Sequence, residues 1–252
     1  MLKKEVGGLT WFEFSLLQPF YFIKHGCFSR KGGASSPPFD SLNIKLFPEE
    51  NPASVQENRA RIQKALNTQS PLVDLEQVHG AAIAVVQHMP KNLPLSTCDA
   101  VITNVRQIPL TVMHADCQAC LILDPEHRAI AAVHSGWRGN VQNIYGKVVE
   151  KLTQEYGSTP EQLFACVGPS LGPCHAEFKE WEKEWPKEFW PYKNENNYFD
   201  LCEIALKQLT EAGIKKDHIE IAKMCSYDQK EYFFSFRRDG LTGRNASCIM
   251  LD

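Results

Sequence analysis

Short apolar runs bounded by turn residues fill the middle of the chain. Ala82 to Val86, Ala100 to Thr103, Pro109 to Met113, Ala119 to Leu123 and Ile130 to His134 each predict a strand. Upstream, Asn51 followed by Pro52 is a helix start, and Val55, Ile62 and Leu66 fall on one face of a helix reaching about Leu66. Downstream, Asn140 is placed to cap a helix whose Val141, Ile144, Val148 and Leu152 face the core and which Gly157 ends. Leu163 to Val167 predicts a buried strand running into the loop Gly168 to Pro173. Phe178, Trp181 and Trp185 share a helical stripe stopped by Pro186, which reads as a packing surface. Asp200 and Glu203 form a capping box for a helix with Leu201, Ile204, Ala205 and Leu209 inward and Gly213 at its end. Ile219 to Ala222 and Tyr232 to Phe236 are the last expected strands, and Ser29 to Pro38 is an expected loop. Strands and helices mix without a βαβ rhythm. The expectation is an α+β fold, one compact domain over residues 1–252 with mixed β-sheets flanked by helices.

Composition sharpens this only in part. With 43% hydrophobic and 23% charged residues the chain is ordinary globular material. A net charge of −3 supplies no basic field for nucleic acid or an anionic membrane, so neither is an expected partner. The nine cysteines are scattered and odd in number, which suits reduced thiols in the cytoplasm. Lys3 and Lys4 open the chain, and Glu13, Gln18 and Pro19 interrupt the apolar stretch that follows, so a signal peptide or membrane span is not expected. No heptad pattern demands an oligomer, and a monomer is expected.

Three segments carry the candidate chemistry: Gln77-Val78-His79-Gly80, His114-Ala115-Asp116-Cys117 and Val133-His134-Ser135-Gly136-Trp137-Arg138-Gly139. Each puts a metal-ligand side chain at a strand end or beside glycine, where rigid scaffolds present groups to a cleft. Two imidazoles and a thiolate make a zinc set with the fourth position open, as in catalytic sites. Two other patterns are decoys. Cys117-Gln118-Ala119-Cys120 followed by His175-Ala176-Glu177 reverses the order of a zinc deaminase signature, and that CxxC lies in a strand pattern instead of opening a helix.

The order QVHG, ADC, HSGWRG, GPSLGP and SFRRDGLTGR, with Ser41-Leu42-Asn43 and Glu57-Asn58-Arg59 before it, resembles the YfiH-like or laccase-domain family, also called polyphenol oxidase-like, from about His25 onward. The resemblance implies a zinc site of His79, Cys117 and His134. It implies pocket roles for Asn43 and Arg59, matching the family's SLN and NR elements, and substrate-binding arginines at Arg237 and Arg238. Arg59, Arg237 or Arg238 would clamp a phosphate, and Asp116 beside Cys117 would serve as a base or an orienting group. The implied activity is phosphorolysis of adenosine, inosine and S-methyl-5′-thioadenosine, with adenosine deamination besides. The partners are then purine nucleosides and phosphate. Two enzymatic alternatives stand beside it. One is an amidase editing peptidoglycan precursors, through the metal or with Cys117 as nucleophile. The other is a copper polyphenol oxidase, for which the chain lacks the HxH pairs of a trinuclear centre. A non-enzymatic zinc scaffold with the Trp181 to Trp190 segment as partner surface is the third. The sequence departs from the family at Ser135, where alanine is usual, at Lys45-Leu46-Phe47-Pro48 and at Gly172-Pro173-Cys174-His175.

Overall fold

The computed structural model describes all of residues 1–252. Eleven strands build two sheets. The first is antiparallel throughout and holds β1 (Leu2–Val6), β2 (Leu9–Glu13), β3 (Ile23–Phe28), β11 (Asn245–Leu251) and β6 (Leu110–His114), in that spatial order. The second runs β10 (Ile219–Ile221), β9 (Phe164–Val167), β7 (Gln118–Asp124), β8 (Ala129–Ser135), β5 (Ala100–Thr103) and β4 (Ile83–Val85). It is mixed, because its two edge strands pair in parallel and its inner strands antiparallel.

Period-two alternation decides which face each residue covers. On β7, Ala119, Leu121 and Leu123 enter the core between the sheets with Ile130 and Ala132 of β8, where they meet Ile23 and Cys27 of β3, Leu110 and Val112 of β6 and Ile249 and Leu251 of β11. The opposite face of the second sheet, with Cys120, Ile122, Ala131 and Val133, is covered by α3 (Ile144–Tyr156) and α5 (Leu201–Glu211). The outer face of the first sheet packs Trp11, Phe28 and Cys248 on Ile62 of α1 (Pro52–Ala65). The result is the expected α+β domain, two sheets face to face with helices outside. Every residue of β7, β8 and β11 is buried, which accounts for the near-continuous apolar runs of β7 and β8.

The helix expected from Asn51 forms as read, with Asn51 Oδ1 accepting the Ala53 N–H. Asn140 does not cap the next one. It lies inside the short α2 (Trp137–Val141), buried, accepting from Ser135 Oγ at 2.6 Å and donating to Gln118 Oε1. The cap is Asn143, whose left-handed backbone turns the chain into α3. The Phe178 stripe is not a long helix either. Only Trp181–Glu184 (α4) is helical, and Trp185 is buried by stacking on Phe199 at 4.6 Å and by the edge of Phe178 at 5.3 Å. The capping box at Asp200 is half made: Asp200 accepts the Cys202 and Glu203 N–H groups, but its own N–H goes to the Tyr192 carbonyl. Tyr232 to Phe236 is not a strand. The Phe234 N–H donates to Asn245 Oδ1 and its C=O accepts from Asn245 Nδ2, and the chain then enters α6 (Phe236–Asp239). Strands β1, β2, β3 and β11 were not expected.

Candidate metal centre and cleft

The antiparallel register of β7 on β8 sets Ala119 opposite His134, so Cys117, just before β7, lies beside the end of β8. The register of β5 on β8 pairs Ala100 with Val133, which brings Asp99 to His134. His79 arrives from the turn before β4. One donor atom each from His79, Cys117 and His134 lies within 4.8 Å of the others, and the two imidazoles meet edge to face at 4.9 Å.

Asp99 organises this convergence. Fully buried, it accepts the N–H groups of Val78, His79 and Gly80 at 3.2, 2.9 and 2.7 Å and the Nδ1–H of His134 at 2.8 Å. Burial alone would raise its pKa; the hydrogen bonds from His134, Gly80 and His79 outweigh it and hold the carboxyl below its usual range. With Nδ1 committed to Asp99, His134 turns Nε2 to Cys117. Burial would raise the Cys117 thiol, yet the charge of His134 and hydrogen bonds from both imidazoles pull it down to about 6. Burial would lower His134, and the charges of Cys117 and Asp99 take it up to about 9. Cys117 and His134 thus favour each other's charged form, and a cation can take the place of the proton between them. Gly136 completes the cradle: a Cβ there would lie 2.9 Å from His79 Cδ2 and 3.1 Å from Cys117 Sγ. Two imidazoles and a thiolate, an oriented histidine and room at Gly136 all fit a bound metal with an open coordination position.

The donors line a cleft of about 720 Å³. Its walls carry Lys45, Arg59, Arg138, Arg237 and Arg244 against Asp74, Glu76 and Asp116, with Trp137, Phe178 and Phe236 as the aromatic surface. Asp116, at φ 98°, takes the Ser226 hydroxyl on Oδ1 and the Arg237 N–H on Oδ2, both at 2.6 Å. Those bonds fit the orienting alternative better than a free base. Arg59 lines the cleft while bound to Asp74 at 2.6 Å and to the Ile44 carbonyl. Arg237 lines it with its guanidinium held by the carbonyls of His175 and Glu177.

Two expected substrate contacts are structural instead. Asn43 is wholly buried outside the cleft: Nδ2 donates to the Lys45 carbonyl and Glu50, and Oδ1 accepts from the N–H groups of Lys45 and Arg244. Arg238 spends its donors on the carbonyls of Ser226, Tyr227 and Phe233 and on Asp239, and does not reach the cleft. Sequence reading passed over Asp99 and Ser226 and gave no role to Arg138 and Arg244, although these stand in the HSGWRG and SFRRDGLTGR runs. Arg244 is half-buried, with Nη1 on the carbonyls of Thr242 and Gly243 and its guanidinium 5.1 Å from the Phe47 ring. Burial lowers its pKa, against the pull of Cys117 and Asp116.

Comparison with known proteins agrees with this fold. The model of a family described as multi-copper polyphenol oxidoreductase laccase matches residues 24–252. Purine nucleoside phosphorylase YfiH of Escherichia coli (strain K12) is 34% identical over 232 residues, which span 88% of this chain and 91% of that one. Among solved structures, a hypothetical protein YfiH of Bacillus licheniformis superposes with a TM-score of 0.89 at 25% identity, covering 99% of each chain. YlmD from Geobacillus stearothermophilus superposes at 0.87 with 28% identity, over 98% of this chain and 97% of that one.

Proposed function

The chain belongs to the multi-copper polyphenol oxidoreductase laccase family, and on that premise we propose that it is a zinc enzyme of purine nucleosides. It splits adenosine, inosine and S-methyl-5′-thioadenosine with inorganic phosphate, giving the free base and the ribose or methylthioribose 1-phosphate, and it deaminates adenosine with water. The relatives named purine nucleoside phosphorylase support the first activity. The observation that carries the reading is the juxtaposition, in one cleft, of an open three-donor centre, an arginine-rich wall and aromatic side chains.

Each substrate feature has a matching surface. Trp137, Phe178 and Phe236 offer flat faces for a purine. Arg59, Arg237 and Arg244 offer forked donors for phosphate, and the charge of Arg244 feels those of Cys117 and Asp116. Two imidazoles and a thiolate suit zinc. Bound there, zinc supplies a Lewis acid and brings the pKa of a water down to about 7. In phosphorolysis a phosphate oxygen bonds to the anomeric carbon as the glycosidic C–N bond breaks, and the purine leaves with that electron pair and takes up a proton. The arginines hold the phosphate for this attack. Asp99 keeps His134 in the tautomer that presents Nε2, and Asp116, fixed by Ser226 and the Arg237 N–H, keeps the Cys117 turn in place. We further assign the protein to the cytoplasm as a monomer; all nine cysteines are unpaired, which suits a reducing compartment, and no helix is long and apolar enough to cross a membrane.

The test is product analysis of zinc-loaded protein given adenosine with and without phosphate, beside a Cys117→Ala control. Adenine and ribose 1-phosphate only with phosphate, and inosine without it, both lost in the control, are the expected results. Zinc binding with neither product would overturn the nucleoside reading in favour of the muramoyl-peptide amidase. Phenol oxidation by copper-loaded protein with no nucleoside turnover would favour the oxidase.

A further inference from the structure

A second set of donors converges away from the three-donor centre. Cys174 and His175 follow the Gly172-Pro173 turn, and Cys225 and Asp228 lie between β10 and α6. One donor atom from each of the four lies within 4.8 Å of the rest. Cys174 Sγ is 3.3 Å from Asp228 Oδ2, and His175 Nδ1 is 3.5 Å from Asp228 Oδ1 and 3.8 Å from Cys225 Sγ.

The two loops are tied by main-chain bonds: Ser170 and Cys225 form a parallel bridge, with the Ser226 N–H on the Ser170 carbonyl at 2.9 Å. Tyr227 stacks on the His175 ring at 3.8 Å, which sets the ring's orientation. Gly172 gives its N–H to Cys225 Sγ at 3.3 Å, and a Cβ on it would crowd Cys174 Sγ at 3.2 Å and Cys225 Sγ at 3.4 Å.

We propose that Cys174, His175, Cys225 and Asp228 form a second metal site, a closed four-ligand zinc site that staples these two loops. Ligand atoms of tetrahedral zinc, about 2.0 to 2.3 Å from the ion, are roughly 3.3 to 3.8 Å apart. With Asp228 offering one oxygen, the 3.3 Å from Cys174 Sγ to Asp228 Oδ2 and the 3.8 Å from His175 Nδ1 to Cys225 Sγ fall in that range. Two thiolates with an imidazole select zinc over the hard cations magnesium and calcium. Four protein ligands leave no position for substrate, so the site is structural. Its effect nevertheless reaches the cleft. Ser226, next to Cys225, donates to Asp116, and the His175 carbonyl accepts from the Arg237 guanidinium. An ion here fixes both supports from outside.

The probe is zinc itself, counted per chain after loading under reductant and removal of the excess. Wild type is expected to hold two ions, and Cys117→Ala and Cys174→Ser/Cys225→Ser one each. Cobalt in the Cys117→Ala protein is expected to show tetrahedral bands with charge transfer from two thiolates, a readout that stands even if the double variant does not fold. One ion in wild type that vanishes in Cys117→Ala would overturn the proposal. So would a Cys174–Cys225 disulfide in protein kept under reductant, or two ions retained by the double variant.

Discussion

Asp99→Asn tests how far the centre depends on a residue that never touches the metal. The carboxylate accepts four N–H groups, two on each oxygen: His79 N and His134 Nδ1 on Oδ1, Val78 N and Gly80 N on Oδ2. An amide keeps one accepting oxygen. Either orientation therefore sets an NH₂ against two donors. If it faces His134, Nδ1 must become an acceptor, the proton moves to Nε2, and the ligand is blocked. If it faces the turn, Val78 and Gly80 lose their partner. Two half-buried bonds to a charged group, at about 1.5 kcal/mol each, make a loss of about 3 kcal/mol. For a chain of this size that lowers the melting temperature of metal-free protein by about 6–12 °C. Removing a group that orients a ligating histidine also weakens metal binding, by about 10–100-fold. Competition for zinc with a chelator of known affinity measures the second quantity and a thermal melt of apo protein the first. Zinc affinity within about twofold of wild type, with a melt unchanged within about 2 °C, would refute the reasoning, since the carboxylate would then neither orient His134 nor hold the turn.

Two further outcomes follow from the structure. Burial pulls His25 down to about 4 from an ordinary 6.5, and its Nε2 accepts the Phe14 N–H, which a protonated ring could not do. The folded-state pKa lies below the unfolded one, so this stability is complete above about pH 6.5 and is lost as pH falls toward 4, about 3 kcal/mol in all; denaturant titrations across that window should lose that slope in His25→Gln. Gly136→Ala should leave the far-ultraviolet circular dichroism intact, because Gly136 has an ordinary extended backbone, while the new methyl against His79 and Cys117 lowers metal occupancy measured after dialysis.

The sequence displayed the second sheet well, because β5, β7, β8 and β9 are buried on both faces and read as unbroken apolar runs. The first sheet was far less legible. β1 is mostly exposed and rich in lysine, β3 breaks its pattern with Lys24, His25 and Gly26, and β11 places Asn245 and Ser247 on its inward face, where they are satisfied by His114 and Phe234. The metal donors were legible as chemistry at strand ends. Asp99 was not, since an acid before a short strand is indistinguishable from a turn residue until the β5–β8 register sets it beside His134. Among the arginines, spacing could not tell a cleft cation from a fastener: Arg238 makes five hydrogen bonds to Ser226, Tyr227, Phe233 and Asp239, whereas Arg244, at the end of the same SFRRDGLTGR run, faces the cleft.

The position of β11 has a consequence in time. It sits between β3 and β6, pairing with both, although every other strand and helix precedes it along the chain. A growing chain can make the β1–β2–β3 meander early, but that meander and β6 share no edge until residues 245–251 arrive. Until then two flanks stay open and apolar, a state that invites association with other chains. Pairing over such long separations is slow. Completion of the cleft, whose wall carries Arg244 immediately before this strand, therefore waits on β11, so a nascent chain stalled before Asn245 should engage a chaperone.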